Sequence, residues 1–189
     1  MDISIIIGST RPGRIGEQVA RWVLEQAQAS KSADVATFEL VDLKDYDLDL
    51  LNEPTVPGAA NREYENPKTR RWSEKIDGFD GYVFVTPEYN HGVPAALKNA
   101  FDVLYPEWAH KGIAFVGYGA ESGVRAVEHW RTIVANAQMH ATRGQVALST
   151  INDFTDQQDF TPREYKAKDV RNTLAQLVKL TRATSTLRA

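Results

Sequence analysis

Apolar positions along the chain gather into five short runs, mostly separated by segments whose apolar residues recur at helical spacing. Ile3–Ile7 is a β-branched run closed by Gly8, the pattern of a strand buried on both faces. Ile15, Val19, Trp22, Val23 and Gln26 follow with the i, i+4, i+7, i+8 spacing of an amphipathic helix. Val35–Val41 alternates and predicts a second strand. The acidic stretch 42–60, with Pro54, Pro57 and Gly58, reads as a long loop, and such loops in compact domains are functional or mobile. Pro67–Phe79 predicts a helix carrying Trp72 and Ile76 inward, and Gly81–Thr86 a third strand closed by Pro87. Pro94 opens a helix over Ala95–Leu104 with Leu97, Phe101 and Leu104 on one face. Ile113–Val116 is a fourth strand, and Val124, Val127, Trp130, Ile133 and Val134 mark a fourth helix. Gln145–Leu148 is a fifth strand and Asp153–Asp159 a polar, acidic connection. Pro162 opens a last helix with Val170, Leu174, Leu177 and Val178 inward.

Strands alternating with helices predict an α/β fold, a doubly wound parallel sheet covered on both faces by right-handed crossovers. No repeat or linker divides the chain, so residues 1–189 are expected to form a single domain. Ligands of such sheets lie beyond the carboxyl ends of the strands, where the strand order switches. Three connections therefore matter most: Gly8–Gly16, Pro87–Pro94 and Gly117–Gly123. Trp22, Trp72 and Trp130 stand at helical core spacings. Trp108, just after Pro106 and Glu107, is expected near a surface or an interface.

Composition narrows the chemistry. A 42% hydrophobic and 25% charged content is that of a globular chain, not a disordered one. With 22 basic and 25 acidic residues the net charge is −3, which provides no general attraction for nucleic acid or an anionic membrane. The chain has no cysteine, so a disulfide scaffold, a thiolate metal site, a cysteine nucleophile and a dithiol redox pair are all excluded. The N-terminus lacks a basic n-region, and no run of 18 apolar residues occurs; a soluble cytoplasmic protein is expected. His91, His110, His129 and His140 lack metal-ligand spacing. Asp42, Asp45, Asp47, Asp49 and Glu53 are read as a solvated loop rather than a cation site, and no Ser-His-Asp order can be argued.

The first connection, Gly8-Ser9-Thr10-Arg11-Pro12-Gly13-Arg14-Ile15-Gly16, joins a strand to a helix N-terminus. Such a terminus offers unpaired N–H groups and partial positive charge to a phosphate. Ser9 and Thr10 add hydroxyls, and Arg11 and Arg14 add charge-assisted donors. Three nucleotide-handling alternatives fail. A Walker A loop needs Lys and Ser/Thr where Arg14 and Ile15 stand, and the dinucleotide fingerprint needs glycine where Thr10 stands. A receiver domain needs an aspartate at the end of the third strand, where Thr86 and Pro87 lie. A monophosphate bound without metal remains, against an ordinary glycine-rich turn with solvated arginines. In the second connection Tyr89, Asn90 and His91 can present an aromatic face and polar groups to a planar ligand. The glycines of the third let backbone amides reach the same ligand.

Gly8-Ser9-Thr10-Arg11, Pro87-Glu88-Tyr89-Asn90 and the run Pro94-Ala95-Ala96-Leu97-Lys98-Asn99-Ala100-Phe101-Asp102 resemble the NAD(P)H-dependent FMN reductases, a flavodoxin-like group that includes quinone, azo-dye and chromate reductases. The resemblance spans about residues 2 to 180. It implies a five-stranded sheet of order 2-1-3-4-5 holding FMN, with NADPH or NADH as co-substrate and a quinone-like, azo or other small molecule as electron acceptor. It also implies that Ser9, Arg11 and the backbone of Arg14, Ile15 and Gly16 hold the phosphate. Pro87, Glu88, Tyr89 and Asn90 would line the isoalloxazine, and Gly119 would approach it. A homodimer or homotetramer is implied by the same resemblance. The chain departs from many relatives, which have Ser and Asn where Arg14 and Gly16 stand here. No acid–base residue is required, because the flavin carries the chemistry. The competing reading is a non-enzymatic electron carrier or redox sensor on the same fold.

Overall fold

The computed structural model describes residues 1–188. Strands β1 (Asp2–Ile7), β2 (Thr37–Asp42), β3 (Gly81–Pro87), β4 (Gly112–Gly119) and β5 (His140–Ser149) form one parallel sheet in the order β2-β1-β3-β4-β5. Helices α1 (Gly16–Gln28), α2 (Pro67–Asp77), α3 (Ala95–Asp102), α4 (Val124–Asn136) and α5 (Tyr165–Thr184) cover it. Because side chains alternate along a strand, each central strand feeds two cores. Ile3, Ile5, Ile7, Val83, Val85, Ala114 and Val116 pack on Val19 and Val23 of α1 and Leu174 and Leu177 of α5. Ile6, Tyr82, Phe84, Ile113 and Phe115 meet Trp72 of α2, Leu97 and Phe101 of α3, and Val127 and Trp130 of α4. Burial on both faces accounts for the near-continuous apolar runs of β1 and β3; β2, on the sheet edge, alternates.

Element ends moved where local hydrogen bonds compete with the pattern. Ser30 caps a 3₁₀ turn over Lys31–Asp34, and the amides of Val35 and Ala36 both bond back to Ser32 O. Val35 is thereby held off the ladder and exposed, so β2 begins at Thr37 rather than at Val35. β4 runs past the expected end at Val116 to Gly119, pairing with Pro87 on one side and Ser149 on the other. The third connection thus shrinks to 120–123, and Gly119 belongs to a strand end. β5 starts five residues early, at His140, with an irregular register between Ile113 and Phe115 of β4. The helices α2 and α3 end two residues before the expected limits, and α5 starts at Tyr165, past Pro162.

Trp108 is the main correction to the predicted core. It is 1% exposed, stacked on Phe101 at 5.1 Å and edge-on to Tyr82 at 4.9 Å, with its indole N–H donating to Phe101 O at 3.0 Å. The neighbouring charge that argued for a surface is itself buried. Glu107 accepts hydrogen bonds from Tyr64 Oη (2.9 Å), Ser73 Oγ (2.6 Å) and Tyr105 N (3.2 Å), so its carboxylate is satisfied inside. The acidic stretch after β2 is also more tied than a solvated loop. Asp42 pairs with Arg14, Asp47 and Asp49 with Lys68 (2.8 and 3.1 Å), and Glu53 accepts from the amides of Glu65 and Asn66.

The connection 153–159 holds structure that periodicity missed. β6 (Phe154–Thr155) and β7 (Asp159–Phe160) form an antiparallel hairpin that packs Phe160 on Trp22 of α1 at 5.2 Å. Two-residue strands lie below the length at which alternation can register. Among the described residues, no three His, Cys, Asp or Glu side chains converge as a metal site, and no helix is long and apolar enough to cross a membrane.

Candidate functional site

The carboxyl ends of β1, β3 and β4 lie side by side, and their connections build one site. After β1, the Gly8 amide donates to Val85 O at 3.0 Å, and a Cβ there would come within 2.9 Å of that oxygen, so the chain leaves the sheet on a glycine. Ser9 is buried, with Oγ 2.8 Å from Tyr89 Oη. Arg14 is braced: one guanidinium nitrogen donates to Ser9 O at 2.8 Å and another pairs with Asp42 at the end of β2. Arg11 stays exposed, and its guanidinium makes a long bond to Gly13 O at 3.4 Å. The residue just before α1 is Ile15, whose side chain cannot cap, so the amides of Gly16 and Glu17 have no side-chain partner.

Tyr118, at the end of β4, closes the floor. A Cβ on Gly16 would collide with its hydroxyl and lie 3.1 Å from Cζ. Gly16 is therefore the space in which the phenol sits. Burial pushes the Tyr118 pKa up, with the Tyr89 hydroxyl adding to the rise, while a Ser9 hydrogen bond and the charges of Arg11 and Arg14 act the other way. Tyr118 stays a neutral donor at any ordinary pH.

After β3, Tyr89 N–Gly92 O (3.1 Å) and Gly92 N–Tyr89 O (3.0 Å) close a two-residue turn, with Asn90 (φ 47°) and His91 (φ 69°) both left-handed. Asn-Gly is the usual filling of this turn, so Asn90 suits its place, whereas His91 stands where glycine is usual; a side chain held in left-handed backbone costs about 1–3 kcal/mol and is found most at ligand loops. Glu88 behaves differently. Its amide donates to Tyr118 O at 3.0 Å, but its carboxylate points at α4, accepting from Arg125 Nε (2.6 Å), Arg125 N (3.1 Å) and Ala126 N (3.4 Å). Gly123 precedes α4 with φ 69°, and a Cβ there would stand 2.5 Å from Tyr118 N.

A cavity of about 230 Å³ joins these parts, lined by Arg11, Arg14, Ile15, Pro87, Glu88, Tyr89, Tyr118, Gly119, Thr150 and Gln157. It opens beside a polar cavity of about 630 Å³ between the first connection and the β6–β7 hairpin. An open helix N-terminus, two guanidinium groups and the hydroxyls of Ser9, Tyr89 and Tyr118 make a donor-rich cradle suited to a phosphate monoester.

The model of the NADPH-dependent FMN reductases matches residues 1–153. The chain belongs to that family. An NAD(P)H-dependent FMN reductase of Schizosaccharomyces pombe is 37% identical over 151 residues, covering 80% of this chain and 74% of the relative. One of Saccharomyces cerevisiae is 30% identical over 189 residues, covering 96% and 99%. A quinone reductase of Escherichia coli is 32% identical over 140 residues, covering 71% and 69%. Among solved structures, the flavoenzyme NAD(P)H:(acceptor) oxidoreductase FerB of Paracoccus denitrificans superposes with a TM-score of 0.72 at 18% identity, covering 97% of this chain and 98% of that one. A Streptococcus pneumoniae flavodoxin superposes with 0.56 at 12% identity, covering 95% and 99%, which supports the flavodoxin-like fold. The chain is thus an oxidoreductase of a family that works with FMN and NAD(P)H.

The reductase brings eight of the ten residues singled out from its sequence to one cavity: Ser9 through its bond to Tyr89, and Arg11, Arg14, Ile15, Pro87, Glu88, Tyr89 and Gly119 in the lining. Gly16 lies behind, against Tyr118, and Asn90 at the exposed tip of its turn. Tyr118, Thr150 and Gln157 were missed. An aromatic residue between Gly117 and Gly119 was a readable signal for Tyr118; nothing local marked the other two.

Proposed function

We propose that this reductase binds FMN with its phosphate at the N-terminus of α1 and its ring along Pro87–Asn90 and Gly119. NADPH or NADH would be the electron donor and a quinone-like or azo compound the acceptor. The observation that carries the reading is the open start of α1, flanked by Arg11 and Arg14, beside a strained turn that presents Tyr89. When bound, FMN supplies hydride acceptance from the nicotinamide and delivery to the acceptor. The protein's part is binding and electrostatics. Ser9 Oγ, Tyr118 Oη and the first amides of α1 donate to the phosphate, and Arg11 neutralises it; Arg14, already bonded to Ser9 O and Asp42, holds the loop in shape. The main chain at Glu88 and Gly119 borders the ring, because the Glu88 carboxylate is turned to α4.

The E. coli quinone reductase relative supports the quinone class. We further infer one domain over the whole chain, working in the cytoplasm as a homodimer or homotetramer without nucleic acid or membrane. The exposed apolar residues Leu50, Leu51 and Val56 favour self-association, and the −3 net charge disfavours polyanions. The test is to mix purified protein with FMN, follow flavin fluorescence, and then follow NADPH or NADH oxidation with and without a benzoquinone and an azo dye. Flavin quenching and acceptor-dependent oxidation are expected. Failure to bind FMN at micromolar concentration overturns the assignment of the site, and oxidation that no acceptor accelerates leaves a carrier or sensor.

A further inference from the structure

The β6–β7 hairpin is built with more care than a surface connection requires. Gln18 of α1 grips it with both ends of its side-chain amide: Nε2 donates to Gln158 O and Oε1 accepts from Phe160 N, each at 2.9 Å. Phe160 is pinned between Phe154 (4.9 Å) and Trp22. Its base is locked by Asp153, a fully buried residue whose carboxylate accepts from Ser149 N (2.9 Å) and Arg163 Nε (3.0 Å). The turn at the tip, closed by Gln158 N donating to Thr155 O at 3.0 Å, sets Asp156 (φ 50°) and Gln157 (φ 59°) in left-handed backbone. As at Asn90 and His91, two side chains occupy a turn that glycine fills more easily.

That turn places Gln157 in the wall of the same cavity as Arg11, Arg14, Tyr89 and Tyr118. The hairpin lies past residue 153, outside the stretch that matches the family model. Of the residues at the tip, Asp156 would oppose a phosphate by charge, whereas the Gln157 amide is an uncharged donor and acceptor. Resting on the FMN reading above, we propose that the hairpin is a fourth wall of the flavin site and that Gln157 is a direct ligand of the ribityl-phosphate arm of FMN. Gln18 is the positioning residue that holds the hairpin on α1.

The experiment measures the FMN dissociation constant by fluorescence quenching and the flavin-free melting temperature for the wild type, Gln157→Ala, Gln157→Gly and Gln18→Ala. Both substitutions at 157 should weaken FMN binding by about 3- to 10-fold, the loss of one hydrogen bond. Glycine relieves the left-handed backbone, so the melting temperature of Gln157→Gly should equal or exceed that of the wild type. Gln18→Ala should weaken FMN binding comparably by releasing the hairpin. If Gln157→Gly binds FMN as tightly as the wild type, the side chain is not a ligand and the proposal fails while the FMN site stands. A wild-type protein that does not bind FMN overturns both.

Discussion

Among the helix N-termini at the carboxyl edge of the sheet, those of α1, after β1, and α4, after β4, both follow glycine-containing connections. The start of α4 is closed: the Glu88 carboxylate accepts from the amides of Arg125 and Ala126 and from the Arg125 guanidinium. The start of α1 has no side-chain cap and stands between two arginines. Equal backbone dipoles therefore have opposite outcomes. A resident carboxylate uses up one positive end for folding, and the other keeps its amides without a side-chain partner. The far end of the molecule offers the inverse case. Lys111, 5% exposed, donates from Nζ to Asp77 O (3.0 Å) at the C-terminus of α2, and burial lowers its pKa to about 8.

The most damaging substitution should be Glu88→Ala. Removing a nearly buried carboxylate from three donors should destabilise the fold by about 2–3 kcal/mol, seen in denaturant melts without flavin. If stability were unchanged and only FMN affinity fell, Glu88 would serve the ligand and the contrast between the two helices would collapse. Arg11→Ala should do the reverse, weakening FMN binding about 10- to 150-fold through the loss of roughly 1.5–3 kcal/mol of charge-assisted bonding, with no change in the flavin-free melt. Unchanged affinity would place Arg11 outside the site.

The pH dependence of Lys111 comes next. The unfolded chain holds this proton up to about pH 10.5, whereas the folded chain releases it near 8. Between these values the unfolded state binds more protons, so the contribution rises with pH, by at most about 1.4 kcal/mol per unit. Comparing wild type with Lys111→Met between pH 8 and 9.5 should show that slope in the wild type alone; identical slopes would mean Lys111 is not titrating there. The smallest effect is the sharpest test of the floor. Gly16→Ala should weaken FMN binding about 5-fold, on the order of 1 kcal/mol, because its Cβ displaces the Tyr118 hydroxyl, and adding Tyr118→Phe should relieve the clash without restoring the lost donor. Full recovery of affinity in the double variant would show that the hydroxyl only fills space.

The βα alternation was legible because β1 and β3 carry near-continuous apolar runs, and because Val19, Val23, Leu174 and Leu177 keep helical spacing on one face; the strand order came only through the family resemblance. The candidate site was legible in its loops, since the glycine- and arginine-rich connection and the Pro87–Pro94 segment are brought to one cavity. Roles inside the site were less so. Arg11 and Arg14 look alike in sequence, yet Arg14 is taken by Asp42, a partner 28 residues away.

Period and local composition by themselves determined the βα alternation, the two-sided core, the absence of thiol chemistry and the glycine- and arginine-rich first connection, because each depends on residues within a turn or two of one another. Only the tertiary structure decided the rest. It buried Trp108 with Glu107, gave the Glu88 carboxylate to α4, set Tyr118 in the space of Gly16 and folded the 154–160 hairpin onto Gln18. Each of these depends on a partner distant in sequence: Tyr64 for Glu107, Arg125 for Glu88, and Phe160, 142 residues on, for Gln18. Whether a polar group is free to bind a ligand is settled by which distant group reaches it first, and hydrophobic spacing carries no record of that.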